Sequence, residues 1–491
     1  MDYSALKSGT DIRGYASDLG GKAIELTDEA VEDIISAFIV FYINSFEKDT
    51  QELRISLGHD SRITADRICA AAKRALLRSG VTVLDCGLAS TPAMFMTTVD
   101  LCADAAIEIT ASHHPFDRNG IKIFLPSGGL AGAAVAEILE LASSKTAVEN
   151  VKEGKTVTTH YMNDYAKRLQ NLIIEGVGRG SKPLSGYRIV VDAGNGVGGF
   201  YANNVLKPLG ADITGSRFLE PDGMFPNHIP NPEDKTAMRS ISEAVISSGA
   251  DLGIIFDTDV DRAGCVGPDG AEINRNRLIA LAAYIAFGGK KGQTVVTDSV
   301  TSDGLKTYIE DTLGGRHYRY RRGYKNVIDK AIELCGQGIE CPLAIETSGH
   351  AALKENYFLD DGAYLATKIV IEVAKGTDIK KLLAPLKMPE DELECRISIT
   401  APDFKEYGNA VIEKLGEYII KNSKYIIADD NREGIRVSNG AGWFLLRMSV
   451  HDPVMPLNFE SDDKNGIAEM IADLKPFFAG FEKLQLPDIL A

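Results

Sequence analysis

Long hydrophobic runs are missing from this chain. The strongest apolar stretch, Ile34 to Ile43, covers ten positions and contains Ser36. A membrane-spanning helix needs about 18 such residues, so this stretch reads as a buried helix. The N-terminus, Met1-Asp2-Tyr3-Ser4, lacks the basic-then-apolar order of a secretory signal. Positive charge is also scarce: Lys and Arg total 53 against 69 Asp and Glu, a formal net charge of −16. So acidic a surface is poorly suited to neutralising nucleic-acid phosphates or to lying on anionic lipid, and neither is expected as a partner. The seven cysteines are scattered, odd in number and without a C-x-x-C pair. They offer no zinc-site spacing and fit a cytoplasmic protein with reduced thiols.

What is present is ordinary globular material, 44% hydrophobic and 25% charged over 491 residues. At roughly 150 residues per domain that length holds about three domains, or four small ones. Thr27-Asp28-Glu29-Ala30 carries an N-cap residue and early acids, which predicts a helix start. Arg54 to Leu57 reads as a strand, Ala65 to Ser79 as a helix and Val81 to Asp85 as a strand. Such alternation predicts a mostly parallel sheet with helices on its faces. A second round begins near Tyr187 to Asp192 and includes Asp251 to Phe256. A third includes Gln293 to Val296, Pro342 to Ile345 and a helix from about Tyr364 to Ala374. After Pro385 to Asp391 the pattern changes to an amphipathic helix, Tyr407 to Lys421, and strands at Gly434 to Val437 and Trp443 to Met448. The expected architecture is α/β: three similar α/β domains at 1–155, 156–268 and 269–388, and a smaller α+β domain at 389–491.

Four polar segments carry chemistry. The apolar strand Asp251 to Phe256 runs into Asp257-Thr258-Asp259-Val260-Asp261-Arg262. Three carboxylates at i, i+2 and i+4 repel one another unless a cation sits among them, and oxygen-only ligands favour Mg²⁺ over zinc. An EF-hand needs Gly at its sixth position and Glu at its twelfth, where this loop has Arg262 and Pro268. The plainer reading is a solvated acidic turn. A second strand, Ile107 to Thr110, delivers Ser112 into a loop with His113, His114 and Pro115. Asn119-Gly120 is expected to turn the chain so that Lys122 folds back toward it. Ser112 suits a nucleophile or phosphate carrier; Thr110 and Ser112 fit a helix cap equally well. In Glu346-Thr347-Ser348-Gly349-His350, Glu346 can accept sugar hydroxyls, Ser348 can donate, and His350 can move protons near neutral pH. A capped turn is the alternative there. Arg447 and Ser449, at the end of the strand from Trp443, make a reasonable phosphate cradle or else an exposed turn. A competing signal is Asp192-Ala193-Gly194-Asn195-Gly196-Val197-Gly198-Gly199, which matches G-x-G-x-x-G after a strand and has Glu220 about 20 residues on. It points to a dinucleotide but leaves the three aspartates unexplained.

Together these segments resemble the α-D-phosphohexomutase family, the phosphomannomutases and phosphoglucomutases, over essentially the whole chain. Asp11-Ile12-Arg13-Gly14 is similar to its N-terminal D-I-R-G, and Thr110 to Pro115 to its phosphoserine loop. Asp257 to Arg262 resembles its metal loop, Glu346 to His350 its sugar loop, and Arg447 to Pro453 its phosphate loop. Asp222 to His228 and Asp360-Asp361-Gly362 also resemble family stretches. The resemblance implies three topologically similar α/β domains and a smaller fourth around a central cleft. It also implies reversible phosphate transfer between the 1- and 6-positions of mannose or glucose, through a phosphoserine and a bisphosphorylated sugar. On that reading Ser112, Lys122, Arg13, Arg262, His350 and His113 are catalytic, and Ser112, Asp257, Asp259 and Asp261 hold Mg²⁺. Glu346, Ser348, Arg322, Gly323, Tyr324, Arg447, Ser449 and His451 bind substrate. Hexose 1,6-bisphosphate is the implied activator, a small phosphosugar the partner, and a monomer or homodimer the assembly.

The chain departs from the family pattern at several positions. His114 replaces Asn, Thr258 and Val260 replace small residues, and Val450-His451 stands for Asn-Thr in the phosphate loop. Three other readings remain open at this point: a phosphoglucosamine mutase, a nicotinamide-dependent oxidoreductase built on Gly194 to Gly199, and a sugar-phosphate binder without catalysis.

Overall fold

The computed structural model describes residues 2–148, 152–421, 424–449 and 452–490. Its contacts divide the chain into two units, residues 1–274 with 348–380 and residues 275–347 with 381–491. The fold is α/β, as expected, with helices packed on sheets that are mixed and not mostly parallel. None of the described helices is long and apolar enough to cross a membrane.

In the first unit, one sheet runs in the order Lys7–Ser8, Asp11–Tyr15, Arg118–Leu125, Ala105–Ile109, Arg54–His59, Thr82–Leu88, Lys155–Thr158. Helix Asp28–Phe46 starts at the predicted cap, where the Thr27 side chain accepts the Ala30 amide. It packs on helices Ala65–Arg78 and Gly132–Ser143, burying Ile34, Ile35, Phe38 and Ile39 completely. This is the fate of the longest apolar stretch. The sheet is less parallel than its helix–strand alternation predicts. Arg54–His59 is parallel to both its neighbours, but Arg118–Leu125 runs antiparallel to Ala105–Ile109 and to Asp11–Tyr15. The reason is covalent. Residues 110–117 are too few for a crossover helix, which takes a dozen or more, so the chain must return as a hairpin.

That hairpin corrects one expectation. Asn119 and Gly120 do not turn the chain; they lie inside strand Arg118–Leu125, and the reversal is made before them. Gly120 is required by a close approach, since a Cβ there would lie 2.5 Å from the Ile12 carbonyl oxygen and 2.6 Å from that of Thr110. Lys122 is still carried back toward the Ser112 loop, by the strand itself.

The unit's second sheet pairs Ile189–Asp192 in parallel with Leu252–Phe256, which continues antiparallel to Ala263–Val266. All five residues of Leu252–Phe256 are buried, so the strand delivers Asp257 directly from the core. A hairpin of Ala351–Leu353 and Leu359–Asp360 leads into helix Gly362–Lys375.

In the second unit, Thr294–Thr297 is flanked in parallel by Arg316–Arg319 and Leu343–Ile345. A separate antiparallel sheet contains Ile435–Ser438, Gly442–Leu446, Val454–Ser461 and Asp391–Ile399. Helices Phe404–Ile420 and Gly466–Phe478 contribute to its core through Val411, Leu415, Met470 and Phe478. The seven cysteines are all free thiols.

Candidate active site

In the first unit the Ser112 loop meets the aspartate loop. The Ser112 hydroxyl donates to Asp257 Oδ2 at 3.0 Å and accepts from Arg262 Nη2 at 3.3 Å. His113 Nδ1 lies 3.3 Å from the same oxygen. No helix follows Ser112, so the capping alternative falls away. Its backbone is left-handed, φ 51°. For a non-glycine residue that costs roughly 1–3 kcal/mol and persists only where neighbours over-determine it.

The three aspartates converge. Asp257, Asp259 and Asp261 each offer a carboxylate oxygen, all within 4.8 Å of one another, and all three residues are buried. Lys122 Nζ donates to Asp261 Oδ2 at 2.5 Å and Asp259 Oδ2 at 3.2 Å. Arg262 donates from Nε to Asp257 Oδ2 at 3.0 Å. Thr91 Oγ1 adds a bond to Asp259 Oδ2 at 2.5 Å. The other oxygens, Asp259 Oδ1 and Asp261 Oδ1, are buried without a hydrogen-bond donor among the described residues. Buried acceptors of that kind call for a partner such as water or an ion, and an all-oxygen donor set suits a hard divalent cation. Burial, then the neighbouring Asp261, pushes the Asp257 carboxyl well above its usual range. At Asp261 burial acts the same way but is outweighed by Lys122, His350 and Arg262, so that carboxyl is held low. Val260 between them takes φ 66°, a strained conformation for a β-branched residue. The position therefore asks for a smaller residue than the one present.

His350 joins the same cluster. Its Nδ1 donates to Asp360 Oδ2 and lies 3.9 Å from Asp261 Oδ1. Burial opposes its charge, but Asp360 and Asp261 overcome this and raise its pKa to about 9. It is therefore a cation at neutral pH. The backbone beside it is close to the end of the aspartate loop: a Cβ on Gly349 would lie 2.7 Å from the Ala263 carbonyl oxygen. The Ser348 hydroxyl is buried and has no hydrogen-bond partner among the described residues. Arg13 pairs with Asp11 at 2.7 Å. With burial first, it and other cations depress His114 to about 3 and His113 lower still. Both histidines are neutral.

Glu346 and the remaining predicted residues fall in the second unit. Gly323 N–H donates to Glu346 Oε1 at 2.6 Å. Arg322 Nε lies 4.0 Å from Asp298 Oδ2, and its amide donates to Glu433 Oε2 at 3.2 Å. Glu433 Oε2 also accepts from the Ser299 hydroxyl. Arg447 is buried, and its Nε has no hydrogen-bond partner among the described residues. Burial lowers its pKa, and the negative charge of Glu433 partly opposes that. Tyr324 begins helix Tyr324–Gly336. The Ser449 amide donates to the Val454 carbonyl, and its hydroxyl accepts from the Asp452 amide at 3.3 Å. Val450 and His451 lie outside the described residues.

Several participants escaped the sequence reading. Asp60 and Arg62 underlie the Ser112 loop, Thr91 holds the aspartate cluster through Asp259, and Glu433 and Asp298 sit among the second unit's arginines. The available signal was a strand running into a polar tail, as in Gly58-His59-Asp60-Ser61-Arg62 and Thr297-Asp298-Ser299. Glu108 also went unnoticed. It is fully buried with neither carboxylate oxygen hydrogen-bonded, and burial pushes it well above its usual range, so it holds its proton.

The glycine motif has a different explanation from a dinucleotide site. A Cβ on Gly196 would lie 2.6 Å from the Thr258 carbonyl oxygen, and one on Gly199 would lie 2.0 Å from that of Leu219. These glycines let the protein's own backbone approach, a demand that accounts for the pattern without a pyrophosphate.

Comparison with known proteins places these features. Three family models match: phosphoglucomutase/phosphomannomutase α/β/α domain I over residues 11–149, domain II over 163–270 and domain III over 274–388. The chain is 31% identical over 459 residues to a phosphoglucomutase of Neisseria gonorrhoeae, covering 93% of each. It is 30% identical over 412 residues to a phosphomannomutase/phosphoglucomutase of Pseudomonas putida, covering 84% of each. A crystal structure of a phosphoglucomutase/phosphomannomutase family protein from Burkholderia thailandensis shares the fold, with a TM-score of 0.81, 24% identity and 98% coverage of both chains.

Proposed function

The chain belongs to the phosphoglucomutase/phosphomannomutase family and is a mutase of sugar phosphates, and from that premise we propose that it interconverts the 1- and 6-phosphates of mannose or glucose through phosphorylated Ser112. The observation that carries this reading is the meeting of Ser112 with the aspartate loop: its hydroxyl is 3.0 Å from Asp257 and 3.3 Å from Arg262, with Lys122 on the loop's other two carboxylates. We assign the Ser112 loop to a domain at 1–155, the aspartate loop to 156–268, the Glu346 loop to 269–388 and Arg447 to 389–491.

In the first half-reaction the bond between Ser112 Oγ and phosphorus breaks as one forms to the free sugar hydroxyl. The hydroxyl proton passes by way of Lys122 to Ser112 Oγ, so the products are serine and a bisphosphorylated sugar. The second half-reaction reverses these steps at the sugar's other phosphate. Phosphoryl transfer requires positioning and charge compensation above all. Arg262 and Arg13 offset charge on the phosphoryl group, and His350 adds a third cation. Asp257, Asp259, Asp261 and a phosphoserine oxygen would hold Mg²⁺, which when bound supplies Lewis-acid stabilisation of the transferring group. Glu346 accepts sugar hydroxyls and Ser348 donates to them. Arg322, Arg447 and Ser449, together with the backbone of Gly323 and Tyr324 and with His451, take the non-reacting phosphate.

The test gives purified protein Mg²⁺, a trace of glucose 1,6-bisphosphate and, in parallel, the 1-phosphates of mannose, glucose and glucosamine. The expected result is a mannose or glucose 6-phosphate product that disappears with chelator and in Ser112→Ala. Glucosamine phosphate as the best substrate would replace the sugar assignment, and turnover in Ser112→Ala would overturn the phosphoserine.

A further inference from the structure

We propose that Arg62 is the positioning residue for Ser112, clamping the nucleophile loop from beneath, and that the Asp222–His228 stretch exists to brace it. The proposal rests on the reading of Ser112 as phosphoryl carrier. It starts from donor arithmetic. A guanidinium has five N–H donors in a rigid planar fork, and at Arg62 all five are used. Nη2 donates to the carbonyls of Ser112 and His114, the latter at 2.7 Å. Nη1 donates to those of Pro115 at 2.7 Å and Arg118 at 2.9 Å. Nε donates to Asp60 Oδ2 at 3.2 Å. The Arg62 and Asp60 side chains are both completely buried.

The same pair controls the other side of the nucleophile. Asp60 Oδ2 accepts the Thr110 hydroxyl at 2.7 Å, and that hydroxyl oxygen accepts the Ser112 amide at 2.9 Å. The N–H and the C=O of Ser112 are thus both fixed through Asp60 and Arg62. This supplies what a serine in a left-handed conformation lacks by itself, since the relaxed backbone would swing Oγ away from Asp257 and Arg262.

Arg62 is held in turn by a motif to which the chemistry gives no role. The Phe225 ring centroid lies 5.3 Å from the guanidinium carbon, within cation–π range. Gly223 touches the backbone that carries Arg62: a Cβ there would sit 2.3 Å from Ile63 N and 2.5 Å from the Ser61 carbonyl oxygen. The stretch is anchored behind by the Asp222 amide, which donates to the Asn195 carbonyl, and by His228 Nε2, 3.0 Å from Asp192 Oδ1.

Arg62→Lys keeps the charge but replaces a five-donor fork by three donors at a point, and Phe225→Leu removes the brace alone. Hydrogen–deuterium exchange of residues 110–118 should rise about tenfold or more in Arg62→Lys, with exchange in helix Asp28–Phe46 unchanged. In turnover, kcat should fall about 100-fold, the typical cost of a misplaced reacting group, while KM stays within threefold. Phe225→Leu should lower kcat several-fold, and the double variant should be no slower than Arg62→Lys because both act through one contact. Unchanged loop protection overturns the clamp. Intact kcat, a change confined to KM, or effects that multiply overturn the positioning role. The exchange measurement reads the clamp even if wild-type protein shows no mutase turnover, a result that would sink the phosphoserine reading instead.

Discussion

Lys122→Met removes one positive charge from between two buried carboxylates while keeping most of the side-chain volume. Lys122 lies 2.5 Å from Asp261 and 3.2 Å from Asp259, and none of the three side chains is more than 4% exposed. Removing one partner of a buried ion pair costs about 3–5 kcal/mol, because the remaining charge is left uncompensated. In chelator, urea unfolding followed by circular dichroism should therefore show a loss of that order. Mg²⁺ should restore more of it in the variant than in wild type, since the lysine no longer occupies Asp259 and Asp261. Calorimetric titration should find Mg²⁺ bound at least about tenfold more tightly, about 1.4 kcal/mol. At 100 times its Kd for the variant the ion stabilises that variant by about 2.7 kcal/mol and the tenfold weaker-binding wild type by about 1.4 kcal/mol, so about a quarter to just under a half of the deficit returns. Turnover should nonetheless fall by about 10²–10⁴, the usual contribution of a positioned proton-transfer group. Equal Mg²⁺ affinity in variant and wild type would refute the idea that Lys122 and the cation compete for the charge of these two carboxylates.

Ser112→Ala should show no mutase turnover with its unfolding free energy within about 1 kcal/mol of wild type, the scale of one hydrogen bond; retained turnover would remove Ser112 from the chemistry. Glu433→Gln should lower KM for the sugar phosphate several-fold, because an anion now held by the Arg322 amide and Ser299 stops competing near Arg447; a raised KM would make Glu433 a support of the Arg322 segment instead. Glu460, whose carboxylate accepts the indole N–H of Trp443, is raised by burial from 4.5 to about 7. The native state then binds a proton that the unfolded chain has lost between those values, so stability falls as pH rises from about 4.5 to 7, by at most about 3 kcal/mol. Emission of Trp443, the single tryptophan, should titrate across this range, and Glu460→Gln should flatten both curves; a titration that persists in the variant assigns it to another group.

The elements were legible where local physics decides them. The Thr27 cap, the apolar strand before Asp257 and the amphipathic helix now seen at Phe404–Ile420 all follow from periodicity and capping. Legibility failed where a residue serves a distant neighbour. Asn119-Gly120 is a strong hairpin signal, yet Gly120 answers to Ile12, over a hundred positions away in sequence. Gly196 and Gly199 mimic a dinucleotide fingerprint because backbone approach is the shared demand, whether the approaching group is a pyrophosphate or the protein's own Thr258 and Leu219. Arg62 was invisible for the same reason: its acceptors are carbonyls at 112–118, and no side-chain pattern marks a carbonyl.

The charges around Ser112 explain why the net −16 of the chain does not defeat an anionic substrate. Within the first unit the site's cations are engaged: Lys122 by Asp259 and Asp261, Arg262 by Asp257, His350 by Asp360, Arg13 by Asp11. An approaching phosphate therefore meets neutralised pairs, each of which must give up a carboxylate before its cation can turn to the ligand. Lys122 is the limiting case, because it holds two carboxylates at once and cannot serve a sugar hydroxyl until their charge is met some other way. A divalent cation held by the carboxylates of Asp259 and Asp261 would supply that compensation, and one oxygen of each has no hydrogen-bond donor among the described residues. Occupancy there and engagement of substrate by Lys122 should accordingly be coupled, with sugar phosphate binding several-fold more tightly when Mg²⁺ is present. Linkage requires the converse to the same factor, so Mg²⁺ titrated with and without a non-turnover sugar phosphate bound to Ser112→Ala must show an equal gain. In Lys122→Met both gains should vanish together, and a coupling that survives the substitution would show that the exchange runs through Arg262 instead.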